Sequence, residues 1–332
     1  MEARHSGIVF TNKARCRDCY RCVRMCPVKA IRMRDGQAFV VEERCIACGT
    51  CVRECPQGAK SFRDDVDRAA RLIAAGGAVA ASVAPSFATL FSAWERRRLP
   101  SALRKLGFAH VSETAIGAFP VAQATAAAVR ERPDRAHLCT ACPAVVSLVE
   151  QYYPDLVDRL TPVCSPMIAH ARHIRSRLGP GSRVIFIGPC VAKKAEAERP
   201  EHAGVVAAAL TFAELRQWLE REGIALRTLE ESGFDEEPAG AARYFPLAGG
   251  LARTAALSTD HLASEVLAVS GYEEIAAALA ELRQGRGGVL VEALFCPQGC
   301  VNGPAMPSEK GVFARRAELL DFAGAHAGRG AA

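Results

Sequence analysis

The chain has 332 residues, a formal net charge of +6, and hydrophobic side chains at half of its positions. This length predicts two or three domains with well-developed apolar cores. Basic and acidic residues are interspersed, which excludes the basic stripe of a nucleic-acid-binding protein. No apolar run approaches the roughly 18 residues of a membrane span, and residues 1–12 lack the apolar segment of a secretory signal. We therefore expect a cytoplasmic protein with no nucleic-acid or membrane partner.

Residues 1–62 contain an internal repeat of cysteines. The pattern C-x2-C-x2-C-x3-C-P begins at Cys16 and recurs from Cys45. It is the bacterial ferredoxin pattern, in which the fourth cysteine of each run binds the other cluster. We therefore predict an α+β domain with two 4Fe–4S clusters, and paired zinc ribbons are the disfavoured alternative. The predicted ligands are Cys16, Cys19, Cys22 and Cys55 for one cluster, and Cys45, Cys48, Cys51 and Cys26 for the other.

The segments after this repeat alternate between helical and strand-like patterns. Residues 63–77 are predicted to form a linker containing a charged helix, and residues 78–83 a buried strand. Strand and helix patterns continue to alternate up to residue 305, which is typical of an α/β domain. The strand patterns at residues 183–187 and 288–294 run directly into cysteine motifs. Strand ends are the usual place for a site in such a domain.

Other segments have simpler interpretations. Arg96, Arg97 and Arg98 form the only tight basic run, which we interpret as the solvated end of a helix, with a docking patch for an acidic partner as the alternative. His170 and His173 are interpreted as ordinary surface residues. Further expectations are a helix from residue 86 to about 97, a helix at residues 121–130, a solvated acidic loop at residues 230–238, and a C-terminal helix with a tail at residues 306–332.

Three further motifs place cysteines far apart in the sequence. Cys142 follows Thr140 and Ala141, Cys190 precedes Lys193 by three positions, and the last motif runs from Glu292 to Cys300. Four thiols from distant segments can hold one iron–sulfur cluster. A lysine so near thiolates is unusual for a plain cluster, because the cation needs an anionic partner. Such a partner is expected in the same site.

The order and spacing of these motifs resemble the catalytic domain of the FeFe-hydrogenase family. In that family the motifs read T-S-C-C-P, P-C-x-x-K-x-x-E and E-x-M-A-C-x-x-x-C, and the resemblance covers roughly residues 14–305. It implies a two-lobed α/β catalytic domain at residues 78–305. It also implies the H-cluster, a 4Fe–4S cube linked through one cysteine sulfur to a diiron unit with CO, cyanide and a bridging dithiolate.

The resemblance assigns a role to each matching residue. The cube's ligands are Cys142, Cys190, Cys296 and Cys300, and Cys300 is the bridging thiolate. Lys193 bonds one cyanide, since a buried ammonium offers charge-assisted donors, and Glu196 pairs with Lys193. Ser86, with the adjacent backbone of Ala84 and Pro85, holds the other cyanide. Ser165 matches the family's relay serine.

Simpler interpretations stay open for several of these positions. Cys190 is alternatively a buried core thiol, and Lys193 a surface lysine, as Lys194 is expected to be. Cys296 and Cys300 alternatively bind a plain cluster. Cys139 and Cys164 match no ligand position and are interpreted as structural.

The chain departs from the family at the proton relay. Ala141 stands where the family has a proton-carrying cysteine, and its methyl group cannot carry a proton. The helix expected to bear two relay glutamates has Gln123 and Ala126 at those positions. Losing a positioned proton carrier costs ~10²–10⁴ in rate. We therefore expect slow, reversible oxidation of dihydrogen and a hydrogen- or redox-sensing role, as in family members with this alanine.

The sequence also predicts the kinds of partner. They are dihydrogen and protons, a redox partner or a signalling kinase or phosphatase, and the maturation proteins that insert the diiron unit. Three alternative functions stay open: a competent hydrogenase with another proton route through Cys139, Cys164 or water, an iron–sulfur assembly factor with cubes only, and a signalling module that reports cluster redox state.

Overall fold

The computed structural model describes residues 7–258 and 265–327 of the chain. The N-terminal part pairs two antiparallel two-stranded sheets with two short helices. In chain order the elements are β1 (Val9–Thr11), α1 (Arg21–Met25), β2 (Ile31–Arg34), β3 (Gln37–Val40), α2 (Thr50–Arg53) and β4 (Lys60–Phe62). Strand β1 pairs with β4, and β2 pairs with β3 through a turn at Asp35 and Gly36. Helix α3 (Val66–Ala74) then leads out of this part.

A four-stranded parallel sheet forms the first lobe that follows. Its strand order is β6-β5-β8-β9. Every residue of β5 is buried, as expected for a central strand of a parallel sheet. Its elements are β5 (Val79–Val83), α4 (Ala93–Arg96), α5 (Leu99–Lys105), β6 (His110–Glu113), α6 (Ala115–Glu131), α8 (Pro166–Leu178), β8 (Arg183–Gly188), α9 (Ala192–Ala197), β9 (Ala208–Thr211) and α10 (Phe212–Arg221), while β7 (His137–Leu138) and α7 (Pro143–Tyr152) intervene in sequence.

A three-stranded parallel sheet forms the second lobe. Its strand order is β10-β11-β7, so β7 joins a sheet whose other strands come more than a hundred residues later. The elements that complete it are α11 (Gly250–Thr254), β10 (Val266–Ser270), α12 (Tyr272–Arg283), β11 (Leu290–Leu294) and α13 (Val312–Ala327). The predicted fold class, an α+β ferredoxin-like part followed by a two-lobed α/β part, is confirmed. Within the described residues, no helix is long and apolar enough to cross a membrane.

Helices α6 and α8 pack against each other at very short range. A Cβ atom at Gly117 would lie 2.4 Å from the Pro166 carbonyl oxygen and 2.5 Å from the His170 nitrogen. Only glycine therefore permits this crossing. The close contact brings α8 over β5 and β6 of the larger sheet.

Two predicted helices have different boundaries from those expected. The single helix predicted from residue 86 to about 97 is a 3₁₀ turn at Pro85–Thr89 followed by α4, whose separate start is fixed by a capping box of Ser92 and Glu95. Helix α6 begins six residues before the expected start. Pro120 lies inside it, and a proline more often marks a first turn.

The acidic loop at residues 230–238 has no buried residue, as a solvated loop should, but it is also held by contacts with the rest of the chain. Glu231 lies 2.8 Å from Arg97 and 2.9 Å from Arg98, and Phe234 packs edge-on against Phe87. The basic run is thus paired with the loop rather than simply solvated. The two charge clusters are far apart in sequence, which is why neither prediction included the other.

Lys194 also contradicts its predicted surface position. Its side chain is fully buried, and Nζ donates to Asp65 Oδ2 at 2.9 Å, Glu214 Oε1 at 2.8 Å and the Ala209 carbonyl at 2.8 Å. These three acceptors come from the start of α3, from α10 and from β9. A buried ammonium with three acceptors is well compensated, so it ties helix α9 to the outer edge of the larger sheet.

Replacing this lysine should therefore destabilise the fold. In Lys194→Met the buried Glu214 loses its cation and Asp65 retains Arg63 alone. We expect the free energy of unfolding to fall by about 3–5 kcal/mol. Urea denaturation measures the loss. Arg68→Met, which removes an exposed ion pair with Glu198, should cost no more than about 1 kcal/mol. Equal losses in the two variants would contradict the assignment.

Candidate metal centre

The eight cysteines of the N-terminal repeat line two separate cavities. The first cysteine cavity, of about 350 Å³, and the second cysteine cavity, of about 320 Å³, each contain four of the thiols. The first is lined by Cys16, Cys19, Cys22 and Cys55, and the second by Cys26, Cys45, Cys48 and Cys51. The fourth cysteine of each run thus lies with the first three of the other run, which is the arrangement that two ferredoxin-type clusters need.

A third cavity, the central cavity, lies where strands of both parallel sheets end. It measures about 570 Å³. Ala84, Pro85 and Ser86 reach it directly after β5, Pro189 and Cys190 directly after β8, and Leu294 at the end of β11. Cys300 lines it from the turn beyond β11. The carboxyl ends of strands from two sheets thus converge on one space, as in α/β sites generally.

Two of the four cysteines of the scattered motifs, Cys190 and Cys300, line this cavity. Cys142 and Cys296 are close enough to interact electrostatically with Cys190 and Cys300. Burial, and then the neighbouring Cys142, raise the pKa of the Cys190 thiol to about 12. Buried thiols with raised pKa values lose their protons only to a strongly cationic group. The donor set therefore fits an iron–sulfur cluster, whose irons supply that charge.

Lys193 extends into the central cavity beside these thiols. Its Nζ donates to Glu196 Oε2 at 2.7 Å and to the Ala141 carbonyl at 3.3 Å. Both side chains of the Lys193–Glu196 pair are nearly buried, at 11% and 6% exposure. The ion pair occupies one carboxylate oxygen of Glu196. The Lys193 ammonium keeps a third N–H group that can donate into the cavity.

Ser86 places a second polar group, a hydroxyl, at the central cavity beside the Lys193 ammonium. In the part of the chain that the structure describes, its buried Oγ has no hydrogen-bond partner, although an unpaired buried hydroxyl costs about 1–3 kcal/mol. It lines the same cavity as Lys193. An orphaned hydroxyl and an ammonium that share one cavity fit a ligand with hydrogen-bond acceptors at two points, as the H-cluster's cyanides would be.

Family comparisons agree with this geometry. Residues 77–304 match the family described as "Iron only hydrogenase large subunit, C-terminal domain", and residues 15–67 match the 4Fe–4S dicluster domain. The chain belongs to the iron-only hydrogenase large-subunit family. Its cofactors, two 4Fe–4S clusters and the H-cluster, are those predicted from the sequence.

Individual hydrogenases are similar at lower identity. Iron hydrogenase 1 of Clostridium pasteurianum is 26% identical over 71% of this chain and 50% of its own length. The NADP-reducing hydrogenase subunit HndD of Solidesulfovibrio fructosivorans is 25% identical over 67% of this chain and 48% of its own. The chain thus spans about half the length of these two relatives. The solved structure of a Chlamydomonas reinhardtii FeFe-hydrogenase HydA1 variant has a TM-score of 0.60 at 18% identity, covering 76% of this chain and 88% of that one.

The positions expected to match the family's proton relay carry no acid in this chain. Ala141 lines the central cavity with its methyl group, as predicted. Gln123, however, is exposed and donates to the Thr254 carbonyl, so it does not face the cavity. The α6 residue that lines the cavity is Ala118, with Thr114 at the start of the helix. Ala118 lies five residues, more than one helical turn, before Gln123. The side chain that α6 presents to the cavity is nevertheless non-acidic.

Ser165 lines a fourth cavity, which we call the side cavity. This space of about 860 Å³ is also lined by Glu196 and Cys164. Within the described residues the buried Ser165 Oγ has no hydrogen-bond partner. Cys139 is buried at the end of β7, and burial raises the pKa of its thiol to about 12. Neither cysteine is among the residues that line the central cavity.

Phe186 restricts the residue at the end of β8 to glycine. A Cβ at Gly188 would lie 2.5 Å from the Phe186 ring and 3.1 Å from the Ala84 Cβ. Phe186 itself lines the central cavity. Its ring therefore occupies the space that a side chain at position 188 would need.

His170 was wrongly predicted to lie at the surface. It is completely buried, and both ring nitrogens have serine partners, Ser82 and Ser112. His173 is partly exposed and pairs with Glu236 at 2.8 Å. The i, i+3 spacing of the two histidines does not reveal the burial of His170, because its serine partners come from two strands of the sheet beneath.

Glu292 is a functional candidate that sequence reasoning left without a role. Its carboxylate accepts from the backbone N–H groups of Leu251 at 3.1 Å and Ala252 at 3.0 Å, in the short helix α11. Burial raises the pKa of this carboxyl from 4.5 to about 7. As the first residue of the third motif it links β11 to α11, close to the chain segment that carries Phe245 and Pro246 into the cavity.

The raised pKa of Glu292 predicts a pH-dependent stability. The protonated carboxyl of Glu292 is favoured in the folded state. Its contribution to the free energy of unfolding is therefore complete below pH 4.5 and is lost as the pH rises through about 7. The full shift corresponds to roughly 3 kcal/mol. Glu292→Gln should therefore gain stability relative to the parent chain as the pH rises from 5 to 8, measured by urea denaturation. The exposed Glu273→Gln should give a difference independent of pH, and a flat Glu292→Gln difference would contradict the prediction.

Proposed function

We propose that this chain catalyses slow, reversible oxidation of dihydrogen to protons and electrons, and that it reports hydrogen or redox state. The observation that carries the proposal is the central cavity. Cys190, Cys300, a nearly buried lysine and an orphaned serine hydroxyl line it, Cys142 and Cys296 lie close to these thiols, and Ala141 offers only a methyl group. No iron–sulfur cube by itself requires Lys193 and Ser86 in this arrangement.

Each residue has a role in the proposal. Cys142, Cys190, Cys296 and Cys300 would hold the cube, and Cys300 would also be the thiolate shared with the diiron unit. When bound, the H-cluster would supply the iron site at which dihydrogen is split. Lys193, oriented by Glu196, and Ser86 would hold the two cyanides through hydrogen bonds, and the walls of the cavity are mainly apolar.

The position of the cysteine cavities supports an electron route. A Cβ at Gly49, between ligands of the second cysteine cavity, would lie 2.4 Å from the Pro304 ring and 3.7 Å from Val191. Val191 follows Cys190 directly, so the second cysteine cavity adjoins the central site. Cys19 of the first cysteine cavity is exposed. Electrons would thus pass from the centre through the second cluster to the first, and leave near Cys19.

The surface around Cys19 favours an acidic redox partner. It carries more exposed basic than acidic side chains, which steers acidic proteins toward it. The exposed basic residues are Lys13, Arg15, Arg17, Arg21, Arg24, Lys29, Arg32 and Arg34. A signalling kinase or phosphatase as the recipient, maturation proteins as the source of the diiron unit, and a cytoplasmic location stay predictions. One similar protein is a periplasmic Fe hydrogenase large subunit from Nitratidesulfovibrio vulgaris.

Loading the chain with a diiron cofactor tests the activity directly. We expect infrared bands of iron-bound CO and cyanide, and reduction of the 4Fe–4S clusters by dihydrogen, detected by electron paramagnetic resonance. Lys193→Met should weaken retention of the diiron unit, because its cyanide loses a charge-assisted donor. A reconstituted protein with all three cubes and no such bands would favour the assembly-factor alternative instead.

The slow turnover is tested by restoring the missing thiol. Ala141→Cys places a proton carrier at the wall of the central cavity, and turnover should rise by ~10²-fold or more. Ala124→Cys, on the exposed face of α6, adds the same thiol away from the cavity and should leave turnover unchanged. No gain in Ala141→Cys would show that proton transfer at this position does not limit the rate.

A further inference from the structure

A buried row of hydroxyl and imidazole groups runs along one face of the larger sheet, from the central cavity to the partly exposed His110 at the start of β6. We propose that Thr114, Ser82, His170, Ser112 and His110, in this order, form a proton-transfer chain between the central cavity and solvent. The inference rests on the proposed function, since it supplies that reaction with an outlet for protons. It differs from a route through the positions of the family's thiol and glutamates, which here are non-acidic.

The inner half of the chain begins at the cavity wall. Thr114, the residue before α6, lines the central cavity. Its Oγ1 lies 2.7 Å from Ser82 Oγ in β5, and Ser82 Oγ lies 2.8 Å from His170 Nδ1. Both distances are those of good hydrogen bonds. The cavity has room for water, which can bridge from its interior to the Thr114 hydroxyl.

The outer half continues from the other ring nitrogen. His170 Nε2 lies 3.2 Å from Ser112 Oγ, which lies 3.0 Å from His110 Nε2. His110 begins β6 and is partly exposed, with Glu236 Oε1 at 3.4 Å and Asp235 Oδ2 at 3.6 Å. Asp235 is 34% exposed. The chain therefore ends among carboxylates in contact with solvent.

The sheet register makes this row possible. Ser82 and Ser112 are paired residues of the adjacent parallel strands β5 and β6, so both hydroxyls point to the same face. Helix α8 covers that face, and its close approach at Gly117 places His170 between the two serines. Ser82, Ser112 and His170 are each fully buried. Apolar residues would pack there without any need for hydrogen-bond partners.

The hydrogen bonds can all point outward at once. Thr114 donates to Ser82, Ser82 donates to His170 Nδ1, the Nε2–H of His170 donates to Ser112, and Ser112 donates to His110. One proton entering at Thr114 then shifts each bonded proton one position, and a different proton leaves His110 for a carboxylate or water. No electron moves and no atom is lost. Rotation of the hydroxyls and a tautomer change in the two imidazoles restore the starting state.

The histidine at the centre of the chain also sets a limit on its rate. Burial, and then the nearby His173, lower the pKa of His170 to about 3. The neutral ring has the one donor and one acceptor nitrogen that the relay needs, but its cationic form is rare at neutral pH. Conduction that passes through this form is slower than through carboxylates. A slow chain agrees with the slow turnover proposed above.

The side cavity is the competing outlet. It contains Ser165 and Glu196, but Ser165 Oγ has no hydrogen-bond partner among the described residues. A route there would need water at Ser165 itself, whereas the chain through His170 needs water only inside the central cavity and is hydrogen-bonded from Thr114 to His110.

Thr114→Val tests the transfer itself, because valine keeps the shape of threonine and removes the hydroxyl. In protein loaded with the diiron unit, we expect exchange between dihydrogen and D₂O to fall by about 10²-fold. Thr114→Ser keeps a hydroxyl and should retain most of the exchange. Thr125→Val is the matched control, since Thr125 is buried in α6 and donates only to the Val121 carbonyl. Full exchange in Thr114→Val, or loss in Ser165→Ala with none in Thr114→Val, would overturn the chain.

Nitrogen-15 resonances of the histidines test the hydrogen bonds without any turnover. In the oxidised cluster-loaded protein, Ser82→Ala should leave His170 with its proton on Nε2, facing Ser112. Ser112→Ala should leave the proton on Nδ1, facing Ser82. The same tautomer in both variants would overturn the proposed connection through the ring.

The two proposals fail in different ways. A parent chain that retains the diiron unit but exchanges no dihydrogen refutes the proposed function. A parent chain that exchanges dihydrogen, with Thr114→Val exchanging it equally fast, refutes only the proton chain.

Discussion

The site depends on one geometric constraint, that strands of two different parallel sheets end at the same cavity. Strands β5 and β8 of the larger sheet and β11 of the smaller one all stop at this point. Side chains just beyond a strand end are held by the sheet and yet are free of its hydrogen bonding. Four thiols separated by up to 158 positions, from Cys142 to Cys300, can therefore meet without a dedicated loop.

Two adjacent lysines illustrate how buried charge is divided between stability and chemistry. Lys194 is saturated by two carboxylates and a carbonyl from β9, which fixes α9 on the edge of the larger sheet. Lys193, about 100° further back around the same helix, has one carboxylate and one carbonyl and faces the cavity. The first lysine thus holds the helix in the orientation that exposes the second to the site.

The sequence could predict whatever depends on local spacing. The ferredoxin runs, the strand before Cys190 and the pairing of Lys193 with Glu196 each involve residues a few positions apart, and the structure brings them together as expected. Lys194 and His170 could not be predicted, because their partners lie 15 to 129 residues away in sequence. A polar residue with a distant partner has the same local pattern as an exposed one. The relay positions on α6 were misplaced because the loop between α6 and Cys142 has no fixed length.

Protons and electrons would leave this centre by separate routes. The proposed electron route runs through the second and first cysteine cavities, beside Gly49 and Pro304, whereas the proposed proton chain runs along one face of the larger sheet beneath α8. Such a separation keeps basic residues near Cys19 available for a redox partner, and keeps carboxylates near His110 available for protons. With Ala141 at the cavity wall and a neutral histidine in the chain, proton transfer rather than electron transfer would limit turnover. The clusters could then equilibrate with dihydrogen while little of it is consumed, a property that suits a sensor better than a metabolic enzyme.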